Sequence, residues 1–299
     1  MTLSDYLIFT TIAECKTLTL AASKLHLSKS AVSHALAKLE DSLHFPLFYR
    51  DQKIMTLTDA GEHLLPYAKA VLAENARFSE QVSGIQGLSS GLIRIGTCTS
   101  TCIHWIPDII TSFRAKFPHV ELQVRSGSNN AQIAAWVQNN DIDIGIGGVE
   151  PSPHLEVEEI YMDEMLCVTS KAFSPANPAY VTAEDIRVLP LILQEGDYNG
   201  EAIAALDRLN ISSFSHFTAF DDSSLVAMAE SGLGYCIEGK LSLKGHHAKV
   251  NAFSFHPPIY RKICLIRNKN HRPSPIIREM WKHIQAYVRE FPPYELDLG

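Results

Sequence analysis

Apolar residues recur every three or four positions through residues 3–40, in short runs separated by polar breaks, which predicts three small helices. Leu7, Phe9, Ile12 and Ala13 mark the inner face of the first, and Leu18, Ala21, Ala22 and Leu25 that of the second. Ala31, Val32, Ala35, Leu36 and Leu39 do so for the third. Between the last two lies Leu25-His26-Leu27-Ser28, where Leu27 is expected to plug the core and the Ser28 side chain to cap the helix that follows. Ala21 and Ala22 are small enough for two helices to cross closely, so the third can project from the body as in a tight helix-turn-helix.

The pattern changes after Leu43-His44-Phe45-Pro46. Residues 47–58 predict two short strands around a polar turn carrying Arg50 and Lys53, a wing. Thr58 then reads as the cap of a long helix from Asp59 to about Ile85. Its apolar positions, Leu64, Leu65, Ala68, Val71, Leu72, Phe78 and Val82, exceed what a small head can bury and predict a dimerisation surface covered by a second copy of the helix. Gly84, Gly87, Ser89, Ser90 and Gly91 form a break, which puts a boundary near Gly87. Beyond it, strands at Leu92–Gly96, Val120–Val124 and Ile142–Ile146 alternate with helical stretches, the rhythm of a mostly parallel α/β sheet. Further strands are expected at Met165–Val168, Leu191–Leu193 and Ile263–Ile266, with helices near Glu201–Leu209, Ser224–Glu230 and Pro275–Val288.

Composition narrows the function. Apolar residues make up 46% and charged residues 20% of the 299, an ordinary globular chain long enough for two domains. The net charge of −7 excludes a uniformly basic nucleic-acid binder, so contact with nucleic acid must be local. One surface qualifies: Lys29, Ser30, Ser33, His34 and Lys38 line the projecting side of the third helix, with no carboxylate before Glu40. Short hydrogen-bonding groups and cations on a helix suit a major groove, and Arg50 and Lys53 on the wing suit phosphates or a minor groove. The same charges also fit a plain solvated face. Six cysteines scattered along the chain are not a disulfide framework. With neither a signal-peptide pattern nor a membrane-length apolar run, they predict a cytoplasmic protein.

These residues resemble the LysR-type transcriptional regulators. The resemblance is carried by Phe9, Ala21-Ala22, Leu25, Ser28, Ala31-Val32-Ser33, Leu39-Glu40, Leu47-Phe48, Arg50, Leu57-Thr58 and Ala60-Gly61. Ile93-Arg94-Ile95-Gly96, Ile106-Pro107, Phe117-Pro118, Asp143-Ile144-Gly145-Ile146 and Gly232-Leu233-Gly234 extend it over nearly the whole chain. It implies a winged helix-turn-helix at residues 1–58, a linker dimerisation helix at 59–87, and a periplasmic-binding-protein-like effector domain at 88–299. That domain would have two α/β lobes, lobe I about 88–162 and 267–299 and lobe II about 163–266. The implied partners are double-stranded promoter DNA, a small-molecule effector, RNA polymerase and further copies of the chain in a dimer of dimers. By motif position Lys29, Ser30, Ser33 and His34 would face bases or phosphates and Arg50 would contact DNA from the wing, with Ser28, Lys38 and Lys53 expected beside them from the residues themselves. Lys29 stands where the family often has glutamine, Ser30 where it often has proline, and His44 where glycine is common.

For the effector, the loop Cys98, Thr99, Ser100 and Thr101 offers hydroxyls and amides at a helix start, which favours an anion such as a carboxylate. Ser128, Gly147, Gln194, Glu195, Phe220 and Asp221 are expected to face it. Each hydroxyl alone also fits a helix cap. Cys98 and Cys102, four residues apart, admit a thiol redox role, and with His104 a metal site, beside the default of small core cysteines. His246-His247 reads as a polar loop, and Gly145-Ile146-Gly147-Gly148 falls short of a dinucleotide fingerprint. No nucleophile elbow, phosphate loop or His-Glu-x-x-His helix occurs, so no enzyme, cofactor or metal is predicted. The rival from another class is a small-molecule binding protein or enzyme whose N-terminal helices serve only to oligomerise.

Overall fold

The computed structural model describes residues 1–49, 54–85, 91–127, 129–195, 200–211, 217–219, 221–243 and 249–290. The head comprises α1 (Leu3–Cys15), α2 (Leu18–Lys24), α3 (Lys29–Leu43) and the short strands β1 (Phe48–Tyr49) and β2 (Thr56–Leu57). Each of its helices starts on a side-chain cap: Thr2, Thr17 and Ser28 accept from the amides of Asp5, Leu20 and Ala31. Ile8, Phe9, Ile12, Ala21, Ala22, Val32, Leu36 and Leu39 close the core, with Phe9 edge-on to Phe48 at 5.7 Å. Burying each large apolar side chain of this kind stabilises by roughly 1.5–3 kcal/mol.

Three expected core residues lie outside it. Leu7 and Ala31 are exposed, because the inward rows run through Ile8 and Val32 instead. Leu27 does not plug the core and is 46% exposed. The positive φ of 54° at His26 turns the chain there, and the Leu27 amide bonds back to the Ala22 carbonyl, which leaves the side chain pointing outward. Glu40 takes up an inward place instead, its Oε1 accepting from the amides of Leu47 at 2.7 Å and Phe48 at 3.2 Å. It thereby ties the end of α3 to the wing.

The long helix α4 (Asp59–Ile85) begins on Thr58, which caps the Gly61 amide. A Cβ on Gly61 would overlap the Leu47 carbonyl, so only glycine lets the helix start this close to the wing. Beyond it come β3 (Gly91–Thr97), α5 (Thr99–His104), α6 (Ile106–Lys116), β4 (Val120–Ser126), α7 (Asn130–Gln138) and β5 (Ile144–Gly147). Then follow β6 (Leu155–Ser170), β7 (Tyr180–Val181), α8 (Ala183–Ile186), β8 (Ile192–Gln194), α9 (Gly200–Arg208) and β9 (Phe217–Ala219). The chain closes with α10 (Asp222–Glu230), β10 (Cys236–Gly239), β11 (Val250–Asn268) and α11 (Pro275–Glu290).

The main sheet runs β10-β6-β11-β5-β3-β4, with β7 beside β11, while β8 and β9 form a separate parallel pair. The expected parallel rhythm holds for β3, β4 and β5, but the sheet as a whole is mixed. The reason is the antiparallel ribbon of β6 and β11, which runs through both lobes with a register shift between Ser254 and Ile259. Ile93, Ile95, Trp105, Phe113, Ile144, Ile263, Leu265, Met280 and Trp281 share the first lobe's core. Met165, Cys167, Tyr235 and Phe255 lie in one core of the second, and Val168, Leu225, Cys236 and Val250 in another. The chain thus crosses between lobes inside the two long strands. Among the described residues no helix is long and apolar enough to cross a membrane.

Candidate nucleic-acid interface and interlobe cleft

On α3, Ser28, Lys29, Ser30, Ser33, His34 and Lys38 are all exposed. The inward row of Val32, Leu36, Leu39 and Glu40 occupies the opposite side, so burial of the apolar stripe is what turns the polar stripe outward. Ser28 Oγ lies 3.0 Å from Ser30 Oγ while it caps the helix. Arg50 and Lys53 fall outside the described residues. His44 ends α3 at a φ of 64°, so a side chain holds the left-handed position that glycine usually fills.

The linker's apolar positions divide. Ala68 is buried and Leu64 and Leu65 are half-buried against the head's own core, because the first turns of α4 pack on α1. Leu72, half-buried, faces the first lobe across a cavity that also takes in Leu7, Lys69, Arg94 and Asp141. Tyr67, Val71, Phe78 and Val82 remain exposed, at spacings that keep them on one stripe.

Between the lobes lies a cleft of about 390 Å³ bounded by Cys98, Thr99, Ser100, Asn129, Asn130, Gly148, Gln194, Glu201, Asp222 and Arg261. Four of the expected residues, Cys98, Thr99, Ser100 and Gln194, border it. Thr101 does not: its side chain is fully buried and its Oγ1 bonds Thr97 and the Cys98 carbonyl, which makes it part of the local turn. Gly147 is buried and gives its place at the cleft to Gly148. Glu195 is exposed and does not border the cleft, and Asp221 caps α10 through the Ser224 amide, leaving its neighbour Asp222 to line the site. Ser128, Phe220 and the His246-His247 pair fall outside the described residues.

The centre of the cleft is a charge cluster that local sequence did not mark. Arg261 on β11 and Asp163 on β6 are direct cross-strand partners, and Arg261 Nε donates to Asp163 Oδ2 at 2.8 Å. Its Nη1 donates to Glu201 Oε2 at 2.8 Å and its Nη2 to Ser100 Oγ at 3.1 Å, so one guanidinium joins three segments. Asp163 Oδ1 also accepts from the Leu241 amide. A Cβ on Gly239 would overlap both Arg261 and Asp163, so a side chain here would displace the pair. Burial raises the Asp163 and Asp222 carboxyls, Arg261 opposing it in both. Burial, with the Asp222 charge behind it, pushes Glu238 up to about 8. Arg261 has no distinguishing motif: Lys262 beside it is exposed and pairs with Glu159, and only strand register separates their fates.

Cys98 Sγ lies 3.2 Å from Thr101 Oγ1, and Cys102 is half-buried with its thiol pushed up by burial, which lowers its thiolate fraction. Among the described residues no group of three His, Cys, Asp or Glu side chains is arranged to hold a metal ion.

Known proteins match this arrangement in the same order. The family model described as bacterial regulatory helix-turn-helix protein, lysR family, matches residues 3–62, and the LysR substrate binding domain matches residues 86–289. The HTH-type transcriptional regulator YvbU of Bacillus subtilis (strain 168) is 27% identical over 268 residues, covering 89% of this chain and 91% of its own. Full-length OxyR from Pseudomonas aeruginosa has a similar fold, with a TM-score of 0.76 at 17% identity over 97% of this chain and 95% of that one. So does full-length CbnR complexed with its target DNA, at a TM-score of 0.66 and 17% identity over 96% of this chain and all of that one (100%). With both models matching in sequence order, and the second alone spanning more than half of the chain, this protein belongs to the LysR family of bacterial helix-turn-helix transcriptional regulators.

Proposed function

We propose that residues 1–58 bind promoter DNA by setting α3 in a major groove, with Lys29, Ser30, Ser33, His34 and Lys38 against bases and phosphates and the wing residues Arg50 and Lys53 against the backbone. The observation that carries this is the exposed, carboxylate-free face of α3 on a molecule of net charge −7. Residues 59–87 pair with a second copy through Tyr67, Val71, Phe78 and Val82, whose exposed stripe supports a partner helix, and two such dimers make the working tetramer. Residues 88–299 respond to a small molecule held between the lobes, supported by a cleft that draws on both. The protein works in the cytoplasm, where a change in effector occupancy shifts the population of head arrangements and so alters DNA bending and access of RNA polymerase.

The experiment is a band-shift on promoter DNA with His34→Ala and Lys29→Ala. Loss of specific binding supports the assignment, with the Lys29 variant also flattening the salt dependence by about one counterion. Unchanged affinity in both variants rejects it in favour of a head that only oligomerises.

A further inference from the structure

Glu201 belongs to α9 of the second lobe, yet its carboxylate is held by the other elements of the cleft. Oε2 accepts from Arg261 Nη1 at 2.8 Å, and Oε1 accepts from Asn130 Nδ2 at 3.1 Å on α7 of the first lobe. Both donors are themselves oriented. Asn130 Oδ1 accepts from the Gly148 amide at 2.9 Å, and Arg261 is braced by Asp163, by Ser100 Oγ and by Ser242 Oγ at 3.4 Å. A guanidinium and a carboxamide converging on one carboxylate, inside a cleft, form the donor set that recognises a free carboxylate. We propose that Glu201 is a built-in occupant of a carboxylate subsite, and that an effector binds by exchanging its own carboxylate for that of Glu201.

The proposal rests on the cleft being the effector site and names the chemistry it selects. Three observations support exchange over simple addition. The two carboxylates on Arg261 differ in freedom: the Asp163 side chain is 1% exposed and locked to the Leu241 amide, whereas that of Glu201 is 32% exposed and can leave for water. Asp222 also lines the cavity beside the guanidinium, so a second anion added beside Glu201 would raise the negative charge, while exchange leaves it unchanged. Finally, Glu201 is the cleft carboxylate that bridges α9 to α7, so releasing it frees the two lobes to move against each other. The resting state is then a self-occupied cleft, and the apparent affinity of an effector is reduced by the fraction of molecules in which Glu201 is in place.

The test uses the full chain, with acetate and ethylammonium as probes at matched ionic strength, read by calorimetric titration and thermal shift. Glu201→Ala is expected to bind acetate about tenfold or more tightly than the wild type and to gain nothing for ethylammonium. Adding Asn130→Ala is expected to cancel part of that gain. Acetate affinity that is unchanged or weaker in Glu201→Ala overturns the proposal. So does ethylammonium binding to the wild type that Glu201→Ala abolishes, since Glu201 would then be a cation ligand. A DNA footprint run on the same proteins separates the two claims: a gain in acetate affinity with a footprint that neither acetate nor Glu201→Ala alters upholds the exchange and overturns the regulatory role of the cleft.

Discussion

Lys69 on the linker helix donates through Nζ to Asp141 Oδ1 at 2.5 Å, joining α4 to the first lobe across 72 residues of sequence. Asp141 follows the end of α7, and Asn130, which holds Glu201 in the cleft, begins the same helix. A short segment therefore has the interlobe cleft at one end and the helix expected to dimerise at the other. Displacement of Glu201 relaxes the first end, and the Lys69 pair, beside that of Glu74 with His271, is a contact through which α4 would feel it.

Lys69→Met is accordingly expected to leave basal DNA affinity nearly unchanged but to shrink the change in footprint that Glu201→Ala produces. The coupling lost should be about 0.5–2 kcal/mol. A double-mutant cycle on DNA affinity measures it, and strictly additive effects would show that the two sites are independent.

Asp163→Ala removes the most buried partner of Arg261 and leaves the guanidinium leaning on the half-exposed Glu201. Removing one member of a buried pair costs about 3–5 kcal/mol, and urea unfolding of the full chain should report a loss of that order. A change below about 1 kcal/mol would mean that Glu201 alone suffices to neutralise the cation.

Glu238 sets a pH dependence. Its carboxyl is pushed from the ordinary 4.5 up to about 8 by burial, so between those values the folded protein holds a proton that the unfolded chain has released. Stability from this group is complete below about 4.5 and is lost as the pH rises through about 8, with a slope of up to about 1.4 kcal/mol per pH unit. Asp222, also raised by burial, contributes with the same sign. Glu238→Gln is expected to flatten the fall in unfolding free energy across that window, and an unaltered profile would contradict the assignment.

His44 occupies a left-handed φ of 64° at the end of α3, a conformation that side chains other than glycine adopt at a cost. His44→Gly should relieve the strain and raise head stability by about 0.5–1 kcal/mol, less the extra freedom glycine gains when unfolded. Thermal unfolding shows the sign directly. A loss of stability would mean that the imidazole makes a compensating contact.

Much of the architecture was legible without coordinates, for identifiable reasons. The spacing of Val32, Leu36 and Leu39, the caps at Ser28 and Thr58, and the small pair Ala21-Ala22 are local signals, and local hydrogen bonding and side-chain volume decide helices and their crossings. The outward face of Lys29, Ser33, His34 and Lys38 follows from the same periodicity. Cys98, Thr99, Ser100 and Gln194 reach the cleft because loops at strand ends open onto it in folds of this kind.

What the chain could not show by itself is which of several equivalent residues would meet. Leu64, Leu65 and Ala68 look like the rest of the linker stripe, yet packing against α1 claims them for the head while Val71, Phe78 and Val82 stay uncovered. Arg261 and Lys262 are adjacent cations, and Asp163 lies 98 positions away from the first of them. Their pairing was decided by the register of two long antiparallel strands, in which a slip of one residue would set Lys262 in the place of Arg261. Periodicity along a chain determines which side of an element is apolar; only the docking of distant elements determines which buried charges find partners, because a charge inside a protein is stable only where its counterpart has been brought to it.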